Sequence, residues 1–262
     1  MNKVKTIIRK EWAEVFKNRM VLFTVIFIPL VLATLPLIIL GVSGGFGIED
    51  VSSSMPGDFG QTCPEGLSSG ECFQVLMVSQ FMLLFMLTPL IIPVNIAAYS
   101  VVGEKTTRSL EPLLATPITT VELLIGKNLA AVIPAVLATW GGFLIFSVGT
   151  GIMVQSANIM RALLSPVWLF AVIVIGPLLA LLSVNFALMI SSRVTDPRAA
   201  EQISVVIIVP VLLIFFAQIA GLFYINASFV IGTAIVLLIT DLIMLYFAER
   251  VFQRETILTR WK

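Results

Sequence analysis

The chain has 262 residues, 58% of them hydrophobic and 12% charged, with a mean hydropathy of +1.05. A water-soluble monomer of this composition would lack the polar groups to cover its outside, so lipid must be part of its solvent. The net charge of +1 gives no electrostatic footprint for nucleic acid. The absence of His removes the commonest metal ligand and the usual general base, and two Cys are too few for a thiolate metal site.

Residues 1–19 place Val4, Ile7, Ile8, Trp12, Val15 and Phe16 at helical spacing with charges between them. The pattern predicts a basic amphipathic helix lying along a membrane surface, its apolar stripe buried and its Lys and Arg on anionic headgroups. An apolar run over about 21–43 follows. It is longer than the h-region of a signal peptide and has no clear cleavage site after it, so it is expected to stay as a membrane anchor.

Residues 44–73 are rich in Gly, Ser and Pro and carry five acids but no Lys or Arg. Cys63 and Cys72 lie in this loop, at a spacing that a flexible segment closes easily, and are expected to form a disulfide. Two free thiols are the alternative. Further spans are expected at about 74–101, 128–151, 167–191, 203–222 and 228–248. The last two are divided only by "GLFYINAS", residues 221–228, read either as a turn or as a re-entrant segment. Pro and paired Gly within the spans predict kinks. Polar residues inside the spans are few, and Asn95, Asn185, Gln218 and Asp241 are the candidate pathway-lining residues. Asp241, the one acid well inside an apolar run, either binds a cation, relays a proton or lines a pathway, or is paired by a neighbouring helix or by water.

Lys and Arg gather at residues 1–20, 103–127, 192–202 and 250–262, whereas Arg161 stands alone on the other side of the expected topology. The positive-inside rule then puts both termini and residues 103–127 in the cytoplasm, and 44–73 outside. The expected fold class is all-α integral membrane, with six transmembrane helices, both ends inside, an interfacial helix at 1–19 and one domain over 1–262.

The polar segment 103–127, "GEKTTRSLEPLLATPITTVELLIGK", interrupts this apolar chain. Leu110, Leu113 and Leu114 share one face of a short helix that Pro117 ends. Thr119 with Glu122 then makes a capping box that opens a second helix through Val121, Leu124 and Ile125. Two short helices in a fixed bend make a docking surface, with Arg108, Glu111 and Glu122 setting register by charge. A connector lying on the headgroups is the other reading.

The run "RSLEPLLATPITTVELLIGK" resembles the signature of the ATP-binding cassette (ABC) type-2 permeases. The matching residues are Glu104, Leu110, Glu111, Leu113, Leu114, Pro117, Glu122, Gly126 and Lys127. The departures are Ser109–Leu110, where that family more often has Gly-Thr, and Pro112. The resemblance implies a permease domain and an exporter: a pair of permeases, identical or related, with separate ATPase subunits that hold ATP and Mg. It makes 103–127 the cytoplasmic coupling segment and assigns ATPase docking to Glu104, Arg108, Leu110, Glu111, Leu113, Leu114, Pro117, Glu122, Gly126 and Lys127. It also implies residence in the cell membrane among its lipids, and short re-entrant helices between spans five and six. The chain has no P-loop, since "GKN" at 126–128 lacks the Gly-rich lead and the Ser/Thr, so no ATP hydrolysis of its own and no cofactor are expected. The substrate expected of a pathway with so few charges is a lipophilic small molecule, a lipid or a peptide. A cation such as Na⁺ is the alternative, as is an ion-coupled secondary transporter built on Asp241. A membrane enzyme would need a polar catalytic cluster, and none is visible.

Overall fold

The computed structural model describes residues 2–45, 69–106, 118–153, 157–222 and 225–251. Among these residues every regular element is helical. Helix α1 (Asn2–Val15) precedes α2 (Arg19–Gly45), α3 (Ser69–Phe85) and α4 (Thr88–Thr106). Then come α5 (Thr120–Met153), α6 (Ala157–Leu163) and α7 (Pro166–Phe170), which runs through a π turn at Ala171–Ile175 into α8 (Gly176–Ser191). Helix α9 (Pro197–Ser204) passes through a 3₁₀ turn at Val205–Ile208 into α10 (Val209–Ile219), and α11 (Ala227–Val251) closes the described chain. Six stretches are long and apolar enough to cross a membrane: Val21–Gly41, Glu71–Thr106, Thr120–Met153, Ala157–Ser191, Pro197–Ile219 and Ala227–Val251.

The expected second span is broken. Pro89 has no N–H to give the Phe85 carbonyl and its ring would clash there, so α3 ends at Phe85 and α4 restarts at Thr88. The third span starts earlier than hydropathy suggests, at Thr120. The capping box fixes that start: Thr119 N–H donates to Glu122 Oε2 at 2.9 Å, and Glu122 N–H to Thr119 Oγ1 at 3.2 Å. At 34 residues α5 is about 51 Å long, well beyond the roughly 30 Å of hydrocarbon it has to cross.

The described chain after Ile219 opens with a helix stop, and the re-entrant segment expected at 221–228 falls partly on residues outside the described ones. Gly221 takes a left-handed φ of 71°. Its N–H donates to the Gln218 carbonyl, and Leu222 N–H reaches back to Ala217 O, the two bonds of a Schellman stop. Asn226 then caps α11, its Oδ1 accepting from Phe229 N–H at 2.8 Å.

Prolines inside the bundle free carbonyls that other helices take up. Pro93 gives no N–H to Pro89 O, and the Ser183 hydroxyl of α8 lies 3.5 Å from that oxygen. Gly176 N–H bonds Ala171 O, one residue beyond the α register, and Pro177 follows with no N–H. The Val172 carbonyl left over accepts from Trp140 Nε1 of α5 at 3.2 Å.

Two large buried clusters lie toward opposite ends of the bundle, and a third, small one joins Ala98 and Val102 to Ala200. One unites the end of α2 with Met82, Phe85, Leu90, Phe146, Leu163, Ile175 and Val230. The other unites Val15 and Val21 with Ile96, Val101, Leu124, Ala131, Val184, Leu188 and Ala248. Helix α8 runs through the centre, packed on α4, α5 and α11. The second cluster underlies the end where α1, the end of α4 and the start of α5 meet.

Candidate functional site

Helix α1 is bound to protein along its apolar stripe, not left for headgroups alone. Ile7 and Val15 are buried, and Val4, Ile8, Trp12 and Phe16 are half-buried. The contacts advance in step along α1 and the first turns of α5. Lys3 Nζ lies 3.6 Å from Glu122 Oε2. Ile7 sits against Gly126, where an added Cβ would come within 2.7 Å of Ile7 Cγ2 and 2.9 Å of its Cβ. Lys127 Nζ donates to Glu11 Oε1 at 2.9 Å. Trp12 Nε1 donates to Ala130 O at 2.9 Å. That carbonyl is the one Pro134, four residues on, leaves without a backbone donor.

The third rung opens into a buried ionic network. Lys127, Glu11 and Glu104 are only 3%, 2% and 3% exposed. Lys127 Nζ lies 2.8 Å from Glu104 Oε2 and also donates to Ser100 Oγ at 2.8 Å. Ser100 in turn donates to Glu11 Oε2 at 2.5 Å. Lys10, half-exposed, pairs with Glu104 and lies 3.8 Å from Glu11 Oε1. Two acids and two lysines thus close a neutral cluster that ties α1 to both arms of residues 103–127. Removing one member would strand a buried charge, at roughly 3–5 kcal/mol. Burial alone would push the Glu11 carboxyl up, but the Lys127 ammonium, the Ser100 hydroxyl and Lys10 outweigh it and hold its pKa below the ordinary carboxylate value.

The next residue faces elsewhere. Lys105 Nζ donates to the carbonyls of Ser192 at 2.9 Å and Val194 at 3.0 Å, with Ser191 O at 3.5 Å, closing the end of α8. The end of α4 therefore grips α1 and α5 with one side chain and the link between the fourth and fifth spans with the following one.

A family model described as ABC-2 family transporter protein matches residues 5–255. The chain belongs to that family. A search of curated proteins finds no match. Members of the ABC-2 family are membrane transport components that normally work with an ATPase subunit and are not themselves catalytic.

In this ABC-2 protein the residues singled out for docking fall into three groups. Arg108, Leu110, Glu111, Leu113, Leu114 and Pro117 lie outside the described residues. Glu122 stands on the rim, beside Val121 and Ile125, which are 46% and 44% exposed. Glu104, Gly126 and Lys127 are buried against α1. Sequence reasoning missed Glu11, Ser100 and Lys10. A signal for Glu11 was present, because it sits between Ile7 and Val15 on the buried stripe.

The candidate pathway residues are not joined to one another. Asn95 donates to Ile91 O of its own helix at 3.1 Å. Both amide atoms of buried Asn185, and Gln218 Oε1, have no hydrogen-bond partner among the described residues. Asp241 is 1% exposed, and neither of its oxygens has a hydrogen-bond partner among the described residues. It lies with Val230, Ala234 and Ala248 on the buried stripe of α11, a helix packed chiefly on α8. Cys72 opens α3, while Cys63 lies outside the described residues, and the expected disulfide with it. No group of three or more metal-ligating side chains occurs among the described residues.

Proposed function

We propose that this chain is the membrane-spanning subunit of an ATP-driven exporter. It moves a lipophilic small molecule, a lipid or a peptide out of the cytoplasm, and a separate cytoplasmic ATPase subunit binds ATP and Mg and hydrolyses the nucleotide. The supporting observation is the platform of α1, α4 and α5, which clamps both arms of residues 103–127 and leaves Glu122, Val121 and Ile125 on its rim. The Leu face at 110, 113 and 114 would seat in the ATPase. The basic residues of α1 and of the α8–α9 link belong to this end, which favours cytoplasmic termini in the cell membrane. Helix α10 packs Val211, Leu212, Ile214 and Phe215 on the core and exposes Leu213, Phe216 and Ile219, an apolar face open to lipid or to a second permease. A Cys63–Cys72 disulfide would close the outer loop.

The test is a mild-detergent pull-down of the tagged chain from its native membrane, assayed for bound ATPase. Co-purification in about 1:1 ratio is expected, with a pair of each per complex. Changing Leu110, Leu113 and Leu114 to Ala should release the ATPase while leaving the chain inserted. A chain that comes down alone and inert rejects the reading.

The buried Asp241 carboxyl, without a hydrogen-bond partner among the described residues, favours a second reading, efflux of a cation such as Na⁺, by the same ATP-driven complex or by ion coupling. Asp241→Asn should then abolish Na⁺ flux in vesicles. Unchanged flux removes that reading.

A further inference from the structure

We infer that Glu11, Glu104 and Lys127 are positioning residues of the transport stroke: they make α1 move as one body with the two arms of residues 103–127. This rests on the exporter reading above.

The argument begins with what a buried ion cluster does. Three side chains at most 3% exposed hold charge that apolar residues of similar volume would replace at little cost to stability. What charge adds there is register: Lys127 lies between Glu11 and Glu104, 2.9 Å from one carboxylate and 2.8 Å from the other. The other rungs agree with that register, with Lys3 on Glu122, Ile7 in the notch of Gly126 and Trp12 on Ala130 O. Beyond Val15 the chain turns at once into α2, Asn18 N–H bonding Val15 O and Leu22 N–H bonding Asn18 O. A displacement arriving through 107–117 is therefore delivered to α1, and through α1 to the first span.

Two variants separate this role from simple support. The first joins Lys3→Cys to Glu122→Cys with a short bis-maleimide, the single Cys chains serving as controls. The second replaces the cluster by apolar side chains, Glu11→Leu, Glu104→Leu and Lys127→Met. The readout is the ATPase rate of the purified complex in nanodiscs relative to the partner ATPase alone, with a melting curve alongside. The tethered chain should keep the ratio of the same double-Cys chain without the linker, because the joined parts move together. The apolar chain should melt at or above the wild-type temperature yet lose the permease-dependent stimulation by about tenfold. Loss of stimulation on tethering overturns the inference, as does full stimulation in a folded apolar chain. If the apolar chain fails to fold, the tethered chain alone decides. Absence of any ATPase from the wild-type preparation overturns the exporter reading and this inference with it.

Discussion

At Gly126 the helices α1 and α5 come so close that the backbone of one meets the branch point of Ile7 on the other. Gly126→Val should push α1 off its seat. A loss of about 1–3 kcal/mol is expected, read as a lowered melting temperature in detergent. At Glu11 the prediction concerns pH. Its folded pKa is lowered by Lys127 and its neighbours, so its contribution is complete above the ordinary carboxylate value of about 4.3 and fades as the pH falls through the lowered folded value. Between pH 7 and 3, the difference in melting temperature between wild type and Glu11→Gln should therefore narrow; a constant difference would contradict the ion pairing. The sequence carried half of this. Glu11 was visible as a charge on an apolar stripe, but its partners lie 89 and 116 residues away, and no local pattern records such a distance.

For helices, hydropathy located the six stretches long and apolar enough to cross, because lipid demands about 20 apolar residues whatever else happens. It did not locate their ends. The third span begins at Thr120 because two side-chain bonds of the capping box start a helix there, not because the residues are apolar. Nor did it show the break at Pro89 or the π turn before Pro177, since a proline predicts a lost donor but not what replaces it. Trp12 is such a replacement, and the substitution that tests it is Trp12→Phe, which keeps the ring and removes the N–H. It should cost about 1–3 kcal/mol by stranding Ala130 O. Pro134→Ala restores a backbone donor to the same oxygen, so the double variant should lose less than the two single losses summed. Strict additivity would refute the exchange.

Across the whole molecule, the two core clusters and the placement of charge set up an axis. Lys17 stands at the end that carries the ionic network, whereas Arg161 projects, exposed, from α6 beside the other cluster. Single Cys residues at these two positions should react with a membrane-impermeant maleimide from opposite sides of sealed vesicles. Labelling from the same side would break the six-span arrangement. This much was legible at the start, since charge bias and span count are global properties that survive errors in any one helix. The proposed docking segment is legible only as a motif, and the packing of α1 on Glu104, Gly126 and Lys127 beside it is recognised only in the fold.

The adjacency of Glu104 and Lys105 has a consequence for how such a chain can vary in length. Each residue added to α4 turns its end by about 100°. One inserted upstream would carry the Glu104 carboxylate to where the carbonyls of Ser191, Ser192 and Val194 now receive an ammonium. One deleted would drive Lys105 in among Lys10 and Lys127. Either change sets like against like on one side and leaves the other without its partner, with Gly103 or Thr106 in the vacated place. The stretch from Pro93 to Thr106 should therefore tolerate many substitutions but no insertions or deletions.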